Sequence, residues 1–535
     1  MAVRAMSEAT NDLCRSTVRA TCFGLKQSLL LVGLVLAVML DALNATIFGM
    51  ARGHVMGTFH LTPDEAAWIG IVYLSAKLTL FPCGSWFIKK YDLVTVIWMA
   101  LSLCAVASLI CTISVNYTVL IGSRAMQGAA GAMLIVSAQT LLLGVFPSNR
   151  QGLVQAIFAL AVVVAPTSLA PVVQGYFIDA AIWQASFVLS IGLAAGAALV
   201  LLCMPESVFP KYQHAVNPFD WFGFVLFAIA MLNLTYILNE GTRWNWFEAR
   251  HLRWSAAVFV VAIAICIHRL VTKSDQVLLD RGVFGDDHFT FGFFVSFIAG
   301  AALFGSAFLI QAFTLSVLRF PAGEAGLLLL PSGLATITGL CLAGWLITYR
   351  NTPSIAFIPL GVLLFMTSMW LMSRTGLQSG WQDLSGALLL RGFGLGFLFL
   401  SLTLITLSGL KSTYHADGVG LFNWGRQLGG LIGVAVLSSY NTSMNATNLQ
   451  VLGRNFDPSN TWFGLRRQML GEVLIERGLA PGLAEPASAL MLQSTLKPQV
   501  AMLSFNEAFL ALALLFVLAV PIILSFKIIQ KRFGS

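Results

Sequence analysis

Fourteen predominantly apolar runs, beginning near residues 27, 66, 93, 117, 151, 185, 219, 253, 289, 323, 354, 384, 421 and 506, alternate with polar stretches along the chain. Each is about 20 residues long, the length an α-helix needs to cross the hydrocarbon core of a bilayer. A membrane barrel would instead show short segments of alternating polarity. Lipid offers no other way to satisfy the backbone of a spanning segment. The pattern therefore predicts an all-α membrane protein with fourteen transmembrane helices.

Two polar breaks divide the series. Residues 205–211, with Pro205 and Pro210, follow the sixth span, and residues 273–288 follow the eighth. Two spans are thus isolated between two six-span blocks. The expected organisation is a tail over 1–26, a first half over 27–204, linkers and two inserted helices over 205–288, and a second half over 289–535. That second half includes a long outer loop over 441–505, with an amphipathic helix expected near 463–478 and a docking role for the loop. Asp220 is placed to cap span seven. The blocks also share a signature: Arg124 precedes Gly128 and Gly131 in span four, and Arg391 precedes Gly392, Gly394 and Gly396 in span twelve. Span twelve is the fourth helix of its own block. Parallel repeats of this kind are typical of transporters that rock two halves about a central site.

Charge sharpens this picture. The net charge of +8 could suggest a nucleic-acid partner. With the N-terminus on the cytoplasmic side, however, 16 of the 31 Lys and Arg residues fall there, 11 fall outside and 4 lie within spans. Setting aside the five in the long loop leaves 16 against 6, so the excess follows membrane topology, with both termini cytoplasmic. The eight cysteines and seven histidines show no metal-ligand spacing. Neither a nucleotide-binding loop nor a nucleophile–base set is present, which argues against an enzyme and implies no cofactor.

The ionisable residues inside the spans are the functional candidates. Asp41 is the acid placed deep within a span. Burial favours its protonated form unless a cation lies close, so it can carry a proton or form a static pair between helices. Lys77, at similar depth in span two, either neutralises Asp41 or presents positive charge to a cavity. Arg124 and Gln127 share a face of span four. Arg124 stays charged, so it tunes Asp41, holds an anion or braces backbone carbonyls. Arg391 and Arg426 carry the same choice between binding and structure. Trp68, Phe304, Phe308 and Phe393 are candidate aromatic contacts. Pro166 and Pro171 should kink span five, and Gly175, like Gly429 and Gly433, permits close helix approach. One acid against four cations should disfavour multivalent cations in the interior.

Several segments resemble the EmrB/QacA-type fourteen-span drug:proton antiporters of the major facilitator superfamily, closest to the EmrB branch. They are Leu40-Asp41; Trp68, Tyr73, Pro82 and Gly84; Ile121-Gly122-Ser123-Arg124 with Gln127-Gly128; Ala165-Pro166, Pro171 and Gly175-Tyr176; Leu238-Asn239-Glu240-Gly241; and Gly425-Arg426-Gln427 with Gly429-Gly430. The span-five motif carries one extra residue between its prolines and has Gln174 where glycine is usual, and the family has an uncharged polar residue at the place of Lys77. The resemblance implies two major-facilitator halves with two inserted helices. It also implies proton-coupled efflux, by alternating access, of hydrophobic, neutral or weakly acidic small molecules. In that scheme Asp41 and Arg124 serve proton coupling, and Lys77, Trp68, Gln127, Phe304, Phe308 and Arg426 face substrate. Pro166, Pro171 and Gly175 form the antiporter motif. An EmrA-like periplasmic adaptor, a TolC-like outer-membrane channel and an inner-membrane location are implied as well. The alternative is a dedicated exporter of an anionic metabolite such as a siderophore.

Overall fold

The computed structural model describes residues 24–204, 218–272, 281–454 and 461–533. Most of the expected tail and of the two polar breaks lies outside these residues. Among the described residues fourteen helices of 18 residues or more follow in order: α1 (Leu25–Met50), α2 (Pro63–Tyr91), α3 (Leu93–Ile113), α4 (Tyr117–Val145), α5 (Ser148–Asp179), α6 (Ala185–Leu202), α7 (Trp221–Glu240), α8 (Arg250–Thr272), α9 (Asp287–Ser316), α10 (Ala322–Arg350), α11 (Ser354–Met372), α12 (Trp381–Leu407), α13 (His415–Gly453) and α14 (Pro481–Phe533). Thirteen are long and apolar enough to span a membrane. The remaining one, α13, is diluted by Asn423, Arg426 and Gln427, yet it packs inside the second half against α9. The face where α1 begins is termed basal and the opposite face distal.

Helix boundaries follow local chemistry. Thr62, Pro63 and Glu65 open α2 with a capping box: the Thr62 hydroxyl accepts from the Glu65 amide at 3.4 Å, and the Glu65 carboxylate accepts from the Thr62 amide at 2.8 Å. Lys89 and Lys90 close α2, where the helix dipole favours cations. Asp220 caps α7 through the Gly223 amide (3.0 Å) and pairs with Arg269 of α8 (2.6 Å), fastening the two inserted helices together. That hairpin lies along the seam of the halves. Trp68 of α2 stacks on Tyr236 of α7 (5.0 Å), Arg243 pairs with Asp64 (2.7 Å), and Trp246 donates to Ser439 of α13 (2.9 Å).

Helix α5 departs from regular geometry. Residues Leu160–Leu169 form a π-helix around Pro166 before α-helix resumes at Ala170. A π turn absorbs one additional residue while keeping the rest of the helix in phase, which accounts for the extra residue in this motif. The distal end of α5 then meets α10: a Cβ on Gly175 would come 2.5 Å from the Ala322 carbonyl, and one on Gly326 would come 2.5 Å from that of Pro171.

The segment expected as a loop over 441–505 is largely helical. Helix α13 runs to Gly453, a separate helix spans Thr461–Glu476, and α14 starts at Pro481. At 39 and 53 residues, α13 and α14 would be about 58 and 80 Å long at the standard rise, well beyond the hydrocarbon core. Arg467 pairs with Glu485 (2.9 Å), and Asn448 donates to Glu507 (3.0 Å), tying the projection together.

Close backbone approach holds the second half. Gly429 sits against the Phe297 carbonyl of α9, and Gly433 against Ala301. Replacing Gly429 with Ala should therefore cost about 1–3 kcal/mol through overpacking, read as a lowered unfolding temperature in detergent. Gly122→Ala, at a helical position with open space, should not lower that temperature.

Candidate functional site

Asp41 in α1 is buried at 4% exposure and faces α2. Its carboxylate accepts from the Lys77 ammonium at 2.6 Å and from the Tyr73 hydroxyl at 2.6 Å. Tyr73 and Lys77 are four residues apart on α2, so one helical face supplies both donors. Behind Asp41, α4 presents Gly131. A Cβ there would overlap the carboxylate, and a Cβ on Gly128 would overlap the Tyr73 carbonyl. The two glycines thus create the space in which α1 and α2 bring the pair together.

Arg124 is fully buried but does not reach Asp41 through a hydrogen bond. It donates to Gln127 (2.7 Å), and its guanidinium lies 4.2 Å from the Tyr73 ring centre and 4.6 Å from that of Phe48, while Nε finds no partner among the described residues. Tyr73 therefore stands between Arg124 and the carboxylate. Gln127 turns away from the interface, donating to Ser108 (3.0 Å) and Asn44 (3.5 Å), and Asn44 also accepts from Ser190 (3.2 Å). Arg391 occupies the corresponding place in the second half. It donates to Ser306 of α9 and Ser332 of α10, both at 2.9 Å, within that half's own packing.

A cavity of about 300 Å³ lies between the halves. Asp41, Lys77, Pro166, Phe304, Phe308 and Arg426 line it, with Gln311, Gln427 and Asn239. Trp68, Gln127 and Phe393 lie outside its lining, and Pro171 and Gly175 belong to the α5–α10 contact. The cavity reaches distally to Gly49 and Asn239, in the last turns of α1 and α7. On the basal side the halves meet. Lys89 of α2 pairs with Asp417 of α13 (2.7 Å), and a Cβ on Gly420 would overlap the Phe81 carbonyl. Deeper in, Arg426 donates to Asn423 (2.5 Å), which donates to Gln139 of α4 (2.8 Å). Among the described residues no group of three or more His, Cys, Asp or Glu could hold a metal ion.

Sequence reasoning passed over Tyr73 as a site residue, as well as Asn44, Gln139 and Asn423. For Tyr73 the signal was available: a tyrosine hydroxyl in an apolar span needs a partner, and it lies one turn from Lys77.

The sequence pattern of the Major Facilitator Superfamily matches residues 34–434. The colistin resistance protein EmrB of Acinetobacter baumannii is 26% identical over 80% of this chain and 83% of its own length. The multidrug export protein EmrB of Escherichia coli K12 is 25% identical over 82% of this chain and 84% of its own. The crystal structure of the human organic anion transporter MFSD10 (TETRAN) is 12% identical and superposes with a TM-score of 0.52, covering 92% of this chain and all 100% of that one. With three quarters of its length inside the family pattern, two helical halves about a central cavity and an inserted hairpin, the chain belongs to the Major Facilitator Superfamily and is a secondary transporter rather than an enzyme.

Proposed function

We propose that the chain is a proton-coupled multidrug efflux transporter, exporting hydrophobic, neutral or weakly acidic small molecules by alternating access. The observation that carries this is the Asp41–Lys77 pair in the wall of the cavity between the halves. The ionised carboxylate is compensated by Lys77. Once protonated, it leaves the ammonium unpaired in the cavity, so the two protonation states favour different arrangements of α1 and α2. Tyr73 holds the carboxylate in either state, accepting or donating as required, and Arg124 fixes Tyr73 from behind. The names of the two EmrB relatives, which describe drug export and colistin resistance, support efflux as the direction.

On this reading the basal face is cytoplasmic, both termini are cytoplasmic and the membrane is the bacterial inner membrane. Protons entering from the distal side supply about 2.3 kcal/mol each per 100 mV of potential. Lys77 and Arg426 raise the cost of an organic cation in the cavity, whereas Phe304 and Phe308 offer apolar contact. The distal projection of α13, Thr461–Glu476 and α14 is the surface proposed for a periplasmic adaptor of the EmrA kind, with an outer-membrane channel of the TolC kind beyond it.

Replacing Asp41 alone would strand a buried ammonium, so the informative variant is Asp41→Asn with Lys77→Met. In proteoliposomes it should bind substrate yet show no substrate-driven proton movement; normal proton movement would remove Asp41 from the coupling step. The single Lys77→Met change leaves the carboxylate unpaired and should cost about 3–5 kcal/mol of stability, most of it recovered in the double variant, as followed by thermal unfolding. Transport of a weak acid should exceed that of a quaternary ammonium compound of equal lipophilicity, and the reverse order would contradict the charge argument.

A further inference from the structure

Arg426 lines the cavity and, among the described residues, forms no ion pair. Its contacts are the Asn423 side-chain oxygen and the rings of Phe399 and Phe422, at 5.9 and 5.8 Å from the guanidinium. A guanidinium only donates. Asn423 must therefore turn its oxygen toward Arg426 and its NH2 toward Gln139 of the other half. The orientation then propagates. Gln139 accepts from Asn423 and donates to Gln155 (3.2 Å), Gln155 donates to Gln151 (3.3 Å), and Gln151 donates to the Phe146 and Leu142 carbonyls at 2.7 and 3.1 Å. Those carbonyls lie at the end of α4: Phe146 is the residue that caps the helix, and the Leu142 carbonyl also accepts from the Phe146 amide (3.2 Å). The run is buried throughout, with no member more than 8% exposed.

We propose that the Asn423–Gln139 hydrogen bond is a latch between the halves, set by Arg426 and held open by a substrate anion on the guanidinium while cargo loads from the basal side. Asn423 lies two turns from Asp417, whose pair with Lys89 closes the basal face, so the latch and the closure share one helix. An anionic ligand withdraws the donor that orients Asn423. The NH2, which also donates to the Val419 carbonyl of its own helix (2.9 Å), can then settle there, the bond across the seam loses its geometry, and the Lys89–Asp417 pair is left to hold the basal face. Asn423 and Gln139 are in this sense positioning residues that act through Arg426. The proposal rests on the cavity being the substrate site.

The test uses full-length protein with native cysteines replaced and spin labels at Y91C and K411C, exposed positions on the basal ends of the two halves. Distances are measured by pulsed electron resonance with and without decanoate, and with decanol as the uncharged control. Decanoate, not decanol, should lengthen the basal distance in the otherwise native protein. Asn423→Leu should lengthen it before any ligand is added and abolish the decanoate response, while thermal stabilisation by decanoate persists. Gln139→Leu should do the same from the other half, which covers the case in which the first variant does not fold. A decanoate-dependent change of native size in either variant would overturn the latch. Decanoate that stabilises neither the native protein nor Arg426→Gln would instead overturn the cavity as substrate site, and the latch with it.

Discussion

A carboxylate inside a hydrocarbon slab cannot remain ionised without a cation, and the site is organised around that constraint. Asp41 meets it with Lys77 at 2.6 Å. Two unit charges at about 4 Å attract by about 4 kcal/mol at an effective dielectric of about 20, while desolvating each ion costs several kcal/mol. Attraction and desolvation are of the same order. On the proposed reading such a pair is switchable, a single proton changing which arrangement is preferred.

The architecture makes that pair possible by removing side chains. Gly131 vacates the space taken by the carboxylate and Gly128 lets the backbone of α2 approach α4. The second half uses the same device for a different end, with Gly429 and Gly433 drawing α13 onto α9. Its counterpart of Arg124, Arg391, is tied to serines of its own half. The repeat has thus diverged into a half that carries the titratable pair and a half that contributes Arg426, Phe304 and Phe308 to the cavity.

Much of this was legible in the sequence, for identifiable reasons. Asp41 and Lys77 stand out because a charge in an apolar span has few explanations, and similar depth in adjacent helices points to pairing. The roles assigned to Trp68 and Gln127 depended on helix rotation, which apolar runs do not encode when every face is hydrophobic. Trp68 turns to Tyr236 of α7, and Gln127 to Ser108 and Asn44. The amide series from Gln151 to Asn423 was hidden for a related reason: neutral polar residues are common in spans, and their partners are set by packing across the seam. Residues 441–505 looked like a loop because hydropathy reports the bilayer, not the helix. Once α13 and α14 leave the lipid their polarity rises while the backbone stays helical.

The central claim is that Asp41 exchanges a proton as substrate enters the cavity. The most direct measurement is proton release from purified, detergent-solubilised protein in unbuffered solution on addition of an uncharged substrate, followed with a pH indicator. The account predicts release from the native protein and none from the Asp41→Asn, Lys77→Met variant. Equal release from both would contradict it.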